Sequence, residues 1–224
     1  MSQIPHIREF SKNSKFYDSY NTIQKQVAKK LLSSITFKPK SILDLGCGDG
    51  LVYKNLNFKV EKFVGIDLSS SMLELHPKSD EIYLECMDFD SFDDYDSFDL
   101  VLSSSSLQWS KDIYSLVKNI ENKSKKFALA IFTDETFKSL REWFELKSFL
   151  PNKYKLQNSF SKNVSCETIS YKLEFKSTLE MLKYIKKSGV SGGRKELGVK
   201  EIKKFLQNYD NNFLEFEILI ATNL

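Results

Sequence analysis

The run Leu43-Asp44-Leu45-Gly46-Cys47-Gly48-Asp49-Gly50 sets acids and three glycines at the end of a short apolar segment. Such a segment reads as a buried strand that turns sharply. Glycines there permit positive φ and close approach of the backbone to a bound group. The dinucleotide fingerprint is G-x-G-x-x-G, and counted from Gly46 its sixth position is Leu51. A pyrophosphate loop is therefore not indicated. Asp44, before the loop, suits an ammonium group and bound water instead. Asp67 ends the segment KFVGID, 21 positions after Gly46, where an acid can accept two hydrogen bonds from ribose hydroxyls. Taken alone, Asp67 also fits a helix N-cap. Met72 can pack on an adenine face or in the core. Asp88 can accept the adenine amino hydrogens, with the Phe89 N–H on a ring nitrogen. The plainer reading of Asp88 is a loop acid in the acidic run DFDSFDDYD.

These residues need a scaffold, and the apolar patterning supplies one. In YNTIQKQVAKKLLSSI the residues Ile23, Val27, Leu31 and Ile35 recur four apart, an amphipathic helix that Pro39 stops. Five apolar segments read as strands: SILDL, KFVGID, EIYLEC, FDLVLSSSS and KFALAIFT. Helical stretches stand between them, at residues 50–57, in SSSMLELHP before Pro77, and in IYSLVKNIENK. Strands alternating with helices argue for βαβ units. After residue 134 the rhythm changes. The spacing of Phe137, Leu140, Phe144 and Phe149 predicts a helix over 136–149. A long strand (VSCETISYKLEF) follows, then a helix ended by Gly189, a loop SGGRKELG, a helix VKEIKKFLQNY and a last strand FLEFEILIAT. The expected fold is α/β and Rossmann-like: a seven-stranded, mostly parallel sheet with helices on both faces and a helical cap. It forms a single domain. Residues 1–134 carry the N-terminal lid helices and the ligand core, 135–210 the cap, and 211–224 the closing strand.

Bulk properties narrow the class. Hydrophobic residues make up 41% of the 224, enough for a core of this size. The net charge of +3 does not indicate a general nucleic-acid binder. Residues 1–150 hold 20 Lys/Arg against 22 Asp/Glu, and residues 151–224 hold 13 against 8. The basic C-terminal third can meet an acidic partner or form a solvated lysine face. Cys47, Cys86 and Cys166 show no paired spacing, which suits reduced thiols in a cytosol. The start MSQIPHIREF lacks a signal peptide's apolar stretch, and no apolar run has the length of a membrane span. A cytoplasmic monomer without a membrane partner is expected.

Residues 40–132 resemble the class I S-adenosylmethionine-dependent methyltransferases. A narrower resemblance spans nearly the whole chain. EFSKNSKFYDSYNTIQKQVAKKLL, FDLVLSSSSLQWSKDI with its pair Gln108-Trp109, FKSTLEMLKYIKKSGVSGG and FEILIAT resemble, in order and spacing, the malonyl-acyl-carrier-protein O-methyltransferases of biotin synthesis. Two departures concern the acceptor: family members usually carry Asn where Ser103 or Ser104 stands, and the loop around Arg194 matches poorly. The resemblance implies S-adenosylmethionine as cofactor, leaving as S-adenosylhomocysteine, with no metal. The implied cofactor residues are Tyr17, Asp44, Gly46, Gly48, Asp67, Leu68, Met72, Asp88, Phe89 and Ser103. The implied acceptor residues are Tyr17, Ser104, Trp109, Arg141 and Arg194.

Each acceptor residue has a plainer role. Tyr17 is a lid over the methionine part of the cofactor, or one packed tyrosine among ten. Trp109 walls the acceptor pocket or fills core. Arg141 and Arg194 clamp a carboxylate bidentately or stay on the surface. Lys183, Lys186, Lys187, Lys203 and Lys204 steer an acidic carrier protein or form a solvated face. A carboxylate acceptor is already ionised at neutral pH, so no general base is needed, and alignment with exclusion of water does the work. The two histidines, His6 and His76, have no metal-site neighbourhood. The substrate so implied is malonyl-acyl carrier protein, methylated on its free carboxyl. A free small acid such as trans-aconitate is the alternative. A non-catalytic S-adenosylmethionine-binding protein is the alternative from another class. Nucleic-acid methylation is disfavoured: SSSS stands where an Asn-Pro-Pro-aromatic signature would follow the fourth strand.

Overall fold

The computed structural model describes residues 21–188 and 198–224. Seven strands form one sheet: β1 (Ser41–Leu45), β2 (Lys62–Asp67), β3 (Ile82–Cys86), β4 (Leu100–Ser104), β5 (Phe127–Phe132), β6 (Ser165–Glu174) and β7 (Phe213–Asn223). Their order is β3-β2-β1-β4-β5-β7-β6. Neighbours from β3 through to β5 pair in parallel, and β7 runs antiparallel to both β5 and β6. This is the expected α/β, mostly parallel architecture.

Period-two burial builds a core on each face. On β5, Phe127, Leu129 and Ile131 point into one core, while Ala128, Ala130 and Phe132 point into the other. A strand buried on both faces must be apolar throughout, which is why FALAIF lacks the alternation of a half-exposed strand. Helix α1 (Thr22–Ser33) lays Ile23, Val27 and Leu31 against the second core. Gln24 lies on the same buried stripe. Two short helices follow, α2 (Leu51–Lys54) and α3 (Ser70–Leu73). Helix α4 (Ile113–Lys123) covers the first core with Ile113, Leu116, Val117 and Ile120, and Asp112 caps it by accepting the Ser115 N–H.

The expected helix over 136–149 is shorter. Helix α5 spans Lys138–Trp143 only, with Phe137 at φ 57 before it and Glu145 at φ 50 after it. Tertiary pairing sets its start: the Phe137 N–H donates to Glu215 O at 2.8 Å and its ring packs edge-on against Phe216. Phe149 leaves the helical path to stack on Trp109. Helix α6 (Lys153–Gln157) was not legible as a periodic run; Asn152 caps it and Leu156 anchors it, fully buried. Helices α7 (Thr178–Ser188) and α8 (Val199–Asn208) lie between β6 and β7 in the chain. Gly189 and residues 191–197 of the expected loop fall outside the described residues. The stretch 135–210 is not cap alone, since β6 within it forms a sheet edge. No described helix is long and apolar enough to cross a membrane.

Candidate active site

The strand order reverses between β1 and β4, and in open α/β sheets ligands bind in the crevice beyond the strand ends at such a point. There the Gly46 and Cys47 N–H groups both donate to Ile66 O, at 2.7 and 3.0 Å, carrying the β1–β2 ladder into the loop. Gly46, Gly48 and Gly50 adopt φ of 74, 54 and 84°. At Gly46 a Cβ would lie 2.3 Å from Ser106 Cβ, so loop and β4 segment touch backbone to side chain. Ser106 also donates to Gly46 O at 2.8 Å. A cavity here is lined by Gln24, Gly46, Gly48, Met72 and Ser104–Ser106, among others. Gly46, Gly48 and Met72 are thus brought together around one cavity.

Three acids stand on or next to this loop. Asp44 is fully buried, and neither of its carboxylate oxygens has a hydrogen-bond partner among the described residues. Burial, then the nearby Asp67 charge, pushes its pKa up to about 8. Asp67 is also raised by burial, although the Ser69 and Gly48 N–H groups hold it, at 2.8 and 2.9 Å. The same carboxylates and burial push the Cys47 thiol up. Asp49 is the acid that finds a cation, Lys54 at 3.0 Å. Removing two carboxylates from water is unfavourable unless a positive group meets them. A buried, unpartnered carboxylate next to a glycine-walled cavity favours a cationic ligand there.

Four of the expected cofactor residues make contacts within the protein. Ser103 does not face the crevice; it is fully buried and donates to Leu45 O at 2.7 Å, bolting β4 to β1. Asp88 caps the short turn Phe89–Ser91 through the Asp90 N–H and pairs with Lys111 at 2.6 Å. Phe89 is buried in the first core. Leu68 follows β2, and its carbonyl accepts the Cys86 thiol. Tyr17 and Arg194 lie outside the described residues.

A second cavity adjoins the first. Gln24, Ser105, Gln108, Trp109, Phe132, Thr136, Phe137, Arg141, Ser148, Phe149, Leu150 and Phe216 line it. Trp109 and Phe149 stack at 5.2 Å to form one wall. Arg141 is the single ionisable side chain in this lining. It makes no ion pair among the described residues; its guanidinium donates to Thr136 O and Asp134 O. The turn it grips is itself held by β7: Glu217 takes the Thr133 hydroxyl at 2.6 Å and Lys153 at 2.9 Å. His76 is remote from this cavity, buried between Tyr53 and Phe63. Gln24, Ser105 and Gln108 were missed as site residues. A polar residue on the buried stripe of an amphipathic helix was the available signal for Gln24.

Residues 43–132 match the family described as a methyltransferase domain. The likeness to a methyltransferase domain lies within that stretch. The malonyl-[acyl-carrier protein] O-methyltransferase of Priestia megaterium is 28% identical over 149 residues, covering 61% of this chain and 54% of that protein. The chain thus spans about half the length of that relative. The protein of the same name from Bacillus cytotoxicus is 27% identical over 247 residues, covering 96% of this chain and 87% of that protein. The plantazolicin methyltransferase BpumL in complex with SAH superposes with a TM-score of 0.56 at 16% identity, covering 97% of this chain and 93% of that one. That likeness shows the Rossmann-like fold of the seven-stranded sheet.

Proposed function

We propose that this methyltransferase esterifies the free carboxyl of malonyl-acyl carrier protein, an early step of biotin synthesis. The observation that carries the reading is the second cavity, whose one ionisable lining group is Arg141. A cationic chamber without Asp, Glu, His, Cys or Lys in its described lining suits an acceptor that arrives already deprotonated. A hydroxyl or amine acceptor would call for a base there.

S-adenosylmethionine would supply a methyl activated by its sulfonium charge. On this reading the loop at Gly46 and Gly48 receives the cofactor's backbone-sized groups. Asp67 accepts from the ribose, and Asp44 gives up its proton as the cation arrives beside it. Met72 packs against the cofactor. Arg141 holds the acceptor carboxylate while Trp109 and Phe149 exclude water from it. Ser104, whose hydroxyl is buried and unpartnered among the described residues, offers one more donor. The exposed Lys183, Lys203 and Lys204 of α7 and α8 would steer an acidic carrier protein toward a cytoplasmic, monomeric enzyme. The names of the relatives from Priestia megaterium and Bacillus cytotoxicus support the acceptor. A non-catalytic role is disfavoured by two cavities that meet.

The purified protein, given methyl-labelled S-adenosylmethionine and malonyl-acyl carrier protein, should transfer label to a base-labile ester on the carrier. Label on trans-aconitate, with none on the carrier, would move the acceptor to a free acid.

A further inference from the structure

Two residues line both cavities: Gln24 of α1 and Ser105 after β4. They mark the passage between the crevice that fits the cofactor and the chamber that holds Arg141. Gln24 is 8% exposed, and its Oε1 has no hydrogen-bond partner among the described residues. The Ser105 hydroxyl is likewise buried and unpartnered. Its neighbours differ. Ser103 and Ser106 commit their hydroxyls to Leu45 O and Gly46 O, at 2.7 and 2.8 Å, and so bind the strand end to the glycine loop.

The backbone at Ser105 singles it out further. It stands at φ 64, where a side chain with a Cβ costs about 1–2 kcal/mol. Two bonds hold it there. Its N–H donates to Ala130 O at 2.9 Å, and its carbonyl accepts from Gln108 Nε2 at 2.6 Å. Gln108, 8% exposed, is thus a positioning residue that fixes where the Ser105 hydroxyl sits.

We propose that Gln24 and Ser105 form the collar through which the methyl group passes. The Ser105 hydroxyl donates to the carboxylate oxygen that does not attack. The Gln24 carboxamide oxygen accepts the polarised hydrogens of the sulfonium methyl, a weak contact of the C–H···O kind. In the transfer a bond forms between the attacking carboxylate oxygen and the methyl carbon. The sulfur–carbon bond breaks, and its electron pair stays on sulfur. No proton moves, so neither residue acts as acid or base. Both act by fixing the line of approach, a contribution that grows when the reacting atoms are held near contact. This inference rests on the carboxylate reading above.

The test uses Ser105→Gly, Ser105→Ala and Gln24→Met in the full chain. Ser105→Gly removes both the hydroxyl and the backbone strain. It should raise the melting temperature yet lower kcat by up to about 100-fold, as misplacement of the reacting atoms does. Ser105→Ala should show the same loss without the gain in melting temperature. In both, the Kd for S-adenosylmethionine should stay within about twofold, because the lost bond is to the acceptor. With methyl-13C cofactor bound, the methyl proton resonance should move upfield in Gln24→Met relative to the parent, since the oxygen that deshields it is gone. Parent-like kcat in both Ser105 variants, or a loss confined to KM, overturns the Ser105 role. An unmoved methyl resonance overturns the Gln24 role. If the parent protein esterifies neither malonyl-acyl carrier protein nor a free acid, the carboxylate reading fails, and the methyl resonance still decides Gln24 by itself.

Discussion

The Gly48 N–H donates to Asp67 Oδ2 at 2.9 Å, which makes the turn after β1 and the end of β2 one binding unit. Asp67 braces the loop, and on the proposed reading its remaining lone pairs accept from the cofactor. Replacing it by alanine removes both. Hydrogen bonds to a charged group contribute about 1.5–3 kcal/mol, so Asp67→Ala should weaken S-adenosylmethionine binding roughly 10–100-fold. Titration calorimetry reads this directly, and an unchanged Kd would remove Asp67 from the cofactor site.

Gly46 stands at φ 74 with its missing Cβ 2.3 Å from Ser106 Cβ. Gly46→Ala therefore meets backbone strain and a side chain together. It should destabilise the fold by about 2 kcal/mol or more in urea unfolding. Adding Ser106→Gly should return part of that loss. A double variant no better than the single one would place the defect in the backbone angle alone.

Asp44 gives a pH dependence whose sign follows from its burial. Its pKa near 8 in the folded chain lies above the ordinary carboxyl value. The folded state therefore keeps a proton that the unfolded state releases. The stability this lends is complete below about pH 4, fades as pH rises, and is gone above about pH 8. The melting temperature of the parent, relative to Asp44→Asn, should fall across that window and then level off. A cation binds best to the ionised carboxylate, so S-adenosylmethionine affinity should rise over the upper part of the same range in the parent and stay flatter in Asp44→Asn.

Arg141 is braced by Thr136 O and Asp134 O rather than by an acid. Its charge is thus left for a ligand. Arg141→Met should raise the acceptor KM about tenfold or more while leaving the cofactor Kd unchanged, as expected for loss of a charge-assisted pair. A guanidinium stays protonated throughout the accessible range. Once both substrates saturate, kcat should therefore be nearly flat from about pH 6 to 9. A bell-shaped profile would reveal a base in the chamber and contradict a carboxylate acceptor.

The glycine-loop half of the candidate site was readable in advance because it is local. Asp44, Gly46 and Gly48 lie in one run of residues, and the ends of five apolar segments marked β1 to β5. The acceptor half is assembled from distant pieces, and periodicity is blind to that. Phe149 reads as helix until Trp109 claims it, and Phe137 starts a turn because Glu215 takes its N–H. Ser103 illustrates another limit. Four consecutive serines look alike in the sequence, yet the pleat sends one hydroxyl to Leu45 and another to Gly46. Asp88 reads equally as ligand or loop acid, and its ion pair with Lys111, 23 positions away, needs the fold to be seen.

Strand β7 enters the sheet between β5 and β6, although it follows both in the chain. During synthesis β1 to β5 can pair before β6 emerges, since each has a parallel partner within that stretch. The edge strand β6 must wait for a partner made some forty residues later. Glu217, which braces the turn holding Arg141, comes with that late partner. A nascent chain could thus capture its cofactor before it owns an acceptor chamber, so that ligand binding would favour the half-built sheet over its unfolded competitors.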